Sequence, residues 1–124
     1  MPRTDKTDPF REDRILMRIV VDAYGPDERA MGWYCHLESN LTFPFAARCA
    51  ARRAVSPLKP KDKVQVIGMA DSDECLREMF VMIRWDDDDE LAVPLSQLQV
   101  VDGDEQTRDA VEDWRYWVRQ GYQF

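Results

Sequence analysis

The chain has 124 residues, of which 44% are hydrophobic and 33% are charged, and its formal net charge is −7 at pH 7. These values are typical of one globular domain with a single core. They exclude a membrane-spanning helix, since no run approaches the roughly 18 consecutive apolar residues that such a helix needs. We expect residues 1–8 to be a flexible N-terminus and residues 9–124 to form the domain.

The cysteines and the N-terminal sequence indicate a cytoplasmic protein. Cys35, Cys49 and Cys75 are odd in number and widely spaced, which favours reduced thiols over a disulfide framework. The segment MPRTDKTDP lacks the apolar core of a signal peptide. We therefore expect a cytoplasmic location and no association with membranes.

Two N-terminal helices are predicted to form a hairpin. Asp8 before Pro9 is typical of an N-cap followed by proline at the first helical position. Gly25 ends this helix and Pro26 begins the second one. Gly32, in the middle of the second helix, predicts close packing, because glycine costs about 1 kcal/mol relative to alanine in a helix. The apolar positions of the two helices are Ile15, Leu16, Ile19, Val20, Ala23, Ala30, Trp33, Tyr34, Leu37 and Leu41.

The hydrophobic period changes after Asn40. The segments TFPFAARCA, KPKDKVQVIGMA, EMFVMIRW and ELAVPLSQLQVV predict short strands, the last one broken by a tight helical turn. A stripe of Ala110, Val111, Trp114, Trp117 and Val118, ending at Gly121, then predicts a C-terminal helix. The predicted fold class is α+β: a small bent antiparallel sheet or partial barrel with an N-terminal helical hairpin and a C-terminal helix.

Charge is distributed unevenly along the chain. Residues 71–105 contain twelve acidic side chains and only Arg77 and Arg84 as basic ones, so this segment carries −10 and the rest of the chain carries +3. A negative field of this kind attracts cations and repels nucleic acid and anionic membranes. The run Asp86–Asp89 with Glu90 fits either a solvated turn or a site for a divalent cation.

No residue pattern indicates catalysis. His36 is the only histidine, and its neighbour Cys35 points in a different direction if both lie on a helix. The spacings C-x-x-C and H-x-x-x-H, which arrange zinc ligands, do not occur, and neither does a glycine-rich phosphate loop. We therefore do not expect an enzyme.

The acidic segments do not match the EF-hand loop. Loops that start at Asp71, Asp86 or Asp102 lack the glycine and the glutamate that the motif requires. Calcium does not need that motif, since it accepts roughly six to eight oxygens at flexible geometry. We predict a better-defined site at the corner LESNLTF, formed by Glu38 and Asn40 with nearby carbonyls. A weaker, more exposed site would use Asp86, Asp87, Asp88, Asp89 and Glu90, with Asp71, Asp73 and Glu74 in a helping role. The two form one site if the corner and the turn meet in space.

A cluster of basic residues provides an alternative function. A barrel-like interaction module could bind a protein or RNA through this basic strand region. A charged edge that prevents aggregation explains the same residues, and the acidic second half opposes nucleic-acid binding. The cluster consists of Arg48, Arg52, Arg53, Lys59, Lys61 and Lys63.

Whole phrases of the chain resemble the CcbP-type calcium-binding proteins of cyanobacteria. These phrases are ILMRIVVDAYGPDERAMGWYCHLESNLTFPFAARC, SPLKPKDKVQVIGMA, CLREMFVMIRW, LAVPLSQLQVV and AVEDWRYWVRQGY, and they occur in the same order between Arg11 and Phe124. The resemblance implies that residues 9–124 are a calcium-binding domain without enzymatic activity. The implied partner and cofactor is Ca²⁺, and the implied role is that of an intracellular calcium buffer or sensor. We expect a monomer. The resemblance does not identify each ligand.

Overall fold

A computed structural model describes residues 8–21, 23–85 and 89–121, and the structural statements below refer to these residues. Three helices and five strands follow one another as α1 (Pro9–Arg14), a π-helical turn (Ile15–Ile19), α2 (Pro26–Asn40), β1 (Phe45–Cys49), β2 (Lys63–Met69), a 3₁₀ turn (Ser72–Cys75), β3 (Phe80–Arg84), β4 (Glu90–Pro94), a second 3₁₀ turn (Leu95–Gln97), β5 (Leu98–Asp102) and α3 (Glu105–Arg119). The α+β prediction is confirmed. Apart from Asp8, the segment predicted to be a flexible N-terminus lies outside the described residues.

The strands form one open antiparallel sheet in the order β4-β3-β2-β1-β5. Because β1 and β3 both run antiparallel to β2, both start toward the same end of the sheet, although they are staggered: Phe45 pairs with Val66, which pairs with Ile83 near the end of β3. Ala46 near the start of β1 pairs with Asp102 of β5, and Phe80 of β3 pairs with Pro94 of β4. We call this end the corner end, because α2 enters the sheet there. The opposite end, where residues 85–89 join β3 to β4, is the turn end.

The first helix is shorter than the sequence predicts. Asp8 caps α1 as expected, since its Oδ1 accepts hydrogen bonds from the amides of Phe10 and Arg11, both at 3.1 Å. The helix then changes to the π-helical turn, in which the Val20 amide donates to the Ile15 carbonyl at 3.0 Å, and it ends there instead of at Gly25. Val20 packs against the core although it lies at the end of this irregular segment. Its apolar side chain fits the helical period, and for that reason the sequence predicts a longer helix.

The core between α2 and α3 is built around Trp33. Its ring centroid lies 5.0 Å from that of Trp114 and 5.6 Å from that of Trp117, with the planes steeply inclined. Aromatic pairs in such edge-to-face arrangements stabilise the core beyond the effect of area burial. All three tryptophans are buried, so they serve packing, as their positions on the apolar stripes predict.

The cysteines and the helices bear on the predicted thiol state and on membrane insertion. Cys35 is exposed, Cys49 and Cys75 are buried, and all three are free thiols, as predicted. Within residues 8–21, 23–85 and 89–121, no helix combines the length and the apolar character needed to cross a bilayer.

Candidate functional site

Asn40, the last residue of α2, connects that helix to α3. Its Nδ2 donates to the His36 carbonyl at 2.7 Å, and its Oδ1 accepts from Nε2 of Gln106 at 2.6 Å. An amide oxygen has two lone pairs, so Oδ1 keeps one for a further donor or a cation. The corner residue that the sequence selects is therefore held in place by both helices.

Glu38 and Asp71 both lie within electrostatic range of the Tyr34 hydroxyl. The Tyr34 hydroxyl donates to the Ala70 carbonyl at 2.8 Å, which fixes the ring at the corner end. Burial raises the pKa of Tyr34, and the negative charges of Glu38 and Asp71 raise it further. The structure thus brings these two carboxylates, distant in sequence, into electrostatic range of one hydroxyl.

Asp73 and Glu74 belong to the same end of the sheet. They follow Asp71 in the 3₁₀ turn that packs against α2, and both side chains are exposed. We call Glu38, Asp71, Asp73 and Glu74 the corner surface. In the sequence the last three precede the run of aspartates, and in the fold they lie in the turn that packs against α2.

The acidic turn between β3 and β4 lies at the turn end. The Trp85 amide donates to the Asp89 carbonyl at 3.0 Å and closes the hairpin, while Arg84 pairs with Glu90. Asp89 and Glu90 are exposed, and Asp86, Asp87 and Asp88 lie outside the described residues. The Ala70 amide, next to Asp71, donates to the Phe80 carbonyl at 3.1 Å, so Asp71 lies beside the start of β3, whereas Asp89 and Glu90 lie beyond its end at Arg84.

A cleft of about 500 Å³ lies between the end of α2 and the first half of α3. Asn40 and Gln106 line it together with His36 and Arg14. Four acidic side chains complete the lining: Asp104, Glu105, Asp109 and Asp113. Sequence analysis missed this cleft, although Glu105, Asp109 and Asp113 recur at the four-residue spacing that places side chains on one helical face.

Asp104 fixes the end of the cleft where α3 begins. Its Oδ1 accepts the amide of Thr107 at 2.7 Å as an N-cap, and its Oδ2 accepts the Thr42 hydroxyl at 3.0 Å. These hydrogen bonds to the carboxylate lower the pKa of Asp104. The Thr42 amide in turn donates to the Thr107 hydroxyl at 2.9 Å, so the corner is bound directly to α3.

Asp113 at the other end of the cleft is 1% exposed and carries two arginine partners. Arg14 donates from Nε at 2.8 Å and from Nη2 at 2.7 Å, and Arg11 donates from Nη1 at 2.6 Å. Burial lowers the pKa of His36, whose imidazole is therefore neutral at pH 7. In this cleft the charge of Asp113 is balanced by arginines, other carboxylates are exposed to solvent, and the imidazole of His36 is neutral.

The acidic side chains do not converge on a preformed metal centre in the described part of the chain. No three acidic, histidine or cysteine side chains there are arranged to hold an ion together. Calcium accepts waters and backbone carbonyls as ligands, so a site that combines few carboxylates with other oxygens is compatible with this arrangement.

The basic cluster is partly used inside the fold. Arg53 makes a bidentate contact to Glu78, at 2.6 and 3.1 Å, and donates to the Ser96 hydroxyl at 3.0 Å. Arg48 donates to the side chain of Gln99 at 3.1 Å. These contacts hold the loop before β2 against the sheet and do not favour the interaction-module alternative.

Two comparisons relate the chain to known proteins. A family model named Calci_bind_CcbP, described as calcium binding, matches residues 13–118. The solved structure described as the crystal structure of Anabaena CcbP is 38% identical, covers 99% of this chain and 100% of its own, and has a TM-score of 0.86. A calcium binding protein in the calcium-binding form is 40% identical, with 94% and 95% covered and a TM-score of 0.83. A comparison with curated protein sequences gave no significant match.

Proposed function

Because the chain belongs to the CcbP family of calcium-binding proteins, we propose that it binds Ca²⁺ and acts as an intracellular calcium buffer or sensor. The observation that carries this proposal is the likeness, over nearly the whole chain, to a protein solved in its calcium-binding form. The acidic character of the second half of the chain supplies the attraction for the cation.

We assign the better-defined site to the corner surface. The charges of Glu38 and Asp71 both raise the pKa of Tyr34, so two like charges lie on the same surface, and like charges repel each other. Asp73 and Glu74 are exposed in the adjoining turn, and backbone carbonyls are available at the end of α2. A bound Ca²⁺ relieves the repulsion and stabilises the folded state. Asn40 contributes through the unused lone pair of Oδ1.

We assign a second, weaker site to the turn Asp86–Glu90. The Trp85 amide donates to the Asp89 carbonyl and closes the hairpin, and the side chains of Asp89 and Glu90 are exposed. Water and salt screen the attraction between exposed carboxylates and an ion, so the affinity of this site is lower. Neither site uses an EF-hand loop.

The remaining properties follow from charge and chemistry. We propose a cytoplasmic monomer that partners with calcium ions and not with nucleic acid or membranes, since its net charge of −7 repels both. We also propose that it is not an enzyme. Cys35 is exposed, while His36 packs edge-on against Trp33 at 6.1 Å between ring centroids. The thiol and the imidazole therefore lie in different environments, which does not favour a nucleophile–base pair.

Calorimetric titration of the metal-stripped protein tests the function. Calcium is added in excess magnesium at about 0.15 M salt, where nonspecific attraction to surface charge is screened. We expect saturable binding with a dissociation constant between about 10⁻⁷ and 10⁻⁴ M, the range of regulatory and weaker sites. No heat and no calcium-dependent rise in melting temperature would overturn the proposed function.

A further inference from the structure

Exposed apolar side chains are concentrated in the N-terminal part of the chain. Single exposed apolar residues are common on protein surfaces, but a group of them on one part of the surface is typical of an interaction site. The core does not explain these residues, since Ile15 and Ile19 already bury the inner side of the segment. Six large apolar side chains between residues 10 and 31 are at least half exposed: Phe10, Leu16, Met17, Val21, Tyr24 and Met31.

Two of these side chains line a groove. Val21 and Met31 face each other across a space of about 330 Å³ between residues 19–23 and α2. Gly32, which also lines the groove, approaches the backbone carbonyl of Ile19 so closely that a Cβ would overlap it. Backbone atoms therefore fix the two walls relative to each other, and the groove exists before a partner binds.

The rim of the groove is acidic. Glu28 is the only charged residue that lines it among the residues that the structure describes. The side chains of Glu28 and its neighbour Asp27 are exposed and form no ion pair with the other described residues. Arg18 is exposed but does not line the groove. The apolar walls thus carry a negative charge at their edge, in a molecule whose net charge is −7.

Charge and backbone chemistry select among the occupants of such a groove. A second copy of this chain carries the same net charge of −7 and is repelled, as is an anionic membrane, whereas a cationic peptide is attracted. The walls come from α2 and residues 19–23, so an extended peptide finds no strand edge there with which to pair. A helix satisfies its own backbone groups and needs only an apolar groove.

We propose that this groove is a docking site for an amphipathic helix of a partner protein, which carries basic residues on the flank that faces Glu28. The apolar stripe of the helix buries Val21 and Met31, and the flexible methionine side chain adapts to its shape. Leu16 and Met17, in the preceding π-helical turn, extend the apolar surface. The proposal does not rest on calcium binding.

The first test uses a synthetic peptide of about 18 residues, in which leucine recurs at i, i+3, i+4 and i+7 and lysine fills the other positions. At about 0.15 M salt, calorimetry should show one peptide per chain with a dissociation constant of about 10⁻⁶ to 10⁻⁵ M. A peptide of the same composition in scrambled order, and one with glutamate in place of lysine, should bind at least about tenfold more weakly. Equal binding of either control peptide would overturn the proposal.

A pair of double variants locates the binding surface. Val21→Ser with Met31→Ser removes two groove side chains that are 52% and 50% exposed. Val55→Ser with Leu76→Ser removes side chains of similar exposure, 61% and 54%, outside the groove. We expect the first pair to weaken peptide affinity by about tenfold and the second by less than about twofold. The same affinity in both double variants would contradict docking in the groove.

Glu28→Gln tests the charge complementarity. Glu105→Gln is the matched control, because Glu105 is an exposed carboxylate in the first turn of α3 as Glu28 is in the first turn of α2. Affinity for the lysine peptide should fall by about two- to fivefold in E28Q and stay unchanged in E105Q. A partner with a basic flank is excluded if the two variants bind equally well.

Cys35 provides a readout in the unmodified protein, in case the groove variant does not fold. It lies one turn after Met31 on α2 and is exposed, while Cys49 and Cys75 are buried, so an alkylating reagent reacts with it selectively. Saturating peptide should slow the alkylation of Cys35 several-fold. An unchanged rate would place the peptide elsewhere and overturn the proposal.

Sedimentation and vesicle binding test the other occupants. We expect a monomer at all concentrations and no binding to phosphatidylcholine vesicles. A concentration-dependent dimer that the replacement of Val21 and Met31 abolishes would assign the groove to a second copy of the chain. Vesicle binding that the same variant abolishes would assign it to a lipid surface. Either result would overturn the proposal.

Discussion

The Cα of Gly32 in α2 lies against the backbone carbonyl of Ile19, so closely that a Cβ at position 32 would overlap the Ile19 oxygen. The contact explains the glycine that sequence analysis found in the middle of a helix. It also joins α2 to the π-helical turn through backbone atoms, which cannot move aside as a flexible side chain can.

We expect Gly32→Ala to destabilise the protein. Overpacking costs about 1–3 kcal/mol and the higher helix propensity of alanine returns up to about 1 kcal/mol, so the net loss in the free energy of unfolding should be about 1–2 kcal/mol. Urea denaturation measures it. Gly68→Ala is the matched control, because a Cβ at Gly68 meets nothing within 4 Å. A G32A variant as stable as G68A would contradict the close approach.

Asp113→Asn should destabilise the attachment of the N-terminal segment. The buried carboxylate accepts hydrogen bonds from Arg11 and Arg14, and breaking a buried ion pair costs about 3–5 kcal/mol. Because both arginines are partly exposed and regain water, we expect a smaller loss of about 2–3 kcal/mol. The loss should appear in thermal unfolding. Glu112→Gln, which removes a carboxylate from the neighbouring position on α3, should cost far less.

His36 should make stability depend on pH in mildly acidic solution. Burial lowers the pKa of His36 below its ordinary value of 6.5, so the unfolded chain binds a proton more readily than the folded one. The contribution of the neutral ring is full above pH 6.5 and is lost as pH falls through the lower folded-state pKa. His36→Gln should flatten the stability profile between roughly pH 7 and pH 5. Parallel profiles for the two proteins would exclude His36 as the cause.

Calcium binding should separate into two independent events. Replacing Glu38→Gln and Asp71→Asn together should weaken the affinity of the tighter calcium site by about tenfold or more, because two carboxylate ligands are lost. The affinity of the weaker site should stay unchanged. Replacing Asp86 to Asp89 by asparagine should do the reverse. Calorimetry resolves the two steps. If either variant removes both events, the assignment of separate corner and turn sites is wrong.

Local structure was predictable because it depends on neighbouring residues. The cap at Asp8, the break at Gly25 and Pro26, and the apolar stripe around Trp114 identify the helices from a few positions each. The end of the first helix was not predictable, since Val20 belongs to the apolar period but packs from an irregular segment.

The candidate sites were harder to predict from the sequence, because they depend on contacts between residues that are distant along the chain. Glu38 and Asp71 come within electrostatic range of Tyr34 only when the 3₁₀ turn packs on α2, and Asn40 contacts Gln106 only when β5 returns beside β1. The acidic period of Glu105, Asp109 and Asp113 was visible, but its partner Arg14 lies at the opposite end of the chain. The closeness of acidic residues in sequence therefore does not predict which of them share a surface.

The separation of the two ends of the sheet sets how the protein would respond to rising calcium. Five residues of β3 span roughly 17 Å, about twice the Debye length of roughly 8 Å in physiological salt. The electrostatic interaction between ions at the two ends is then almost fully screened. Filling the first site therefore leaves the affinity of the second site unchanged. Such a molecule fills gradually over a broad concentration range, and acts as a reservoir without a threshold.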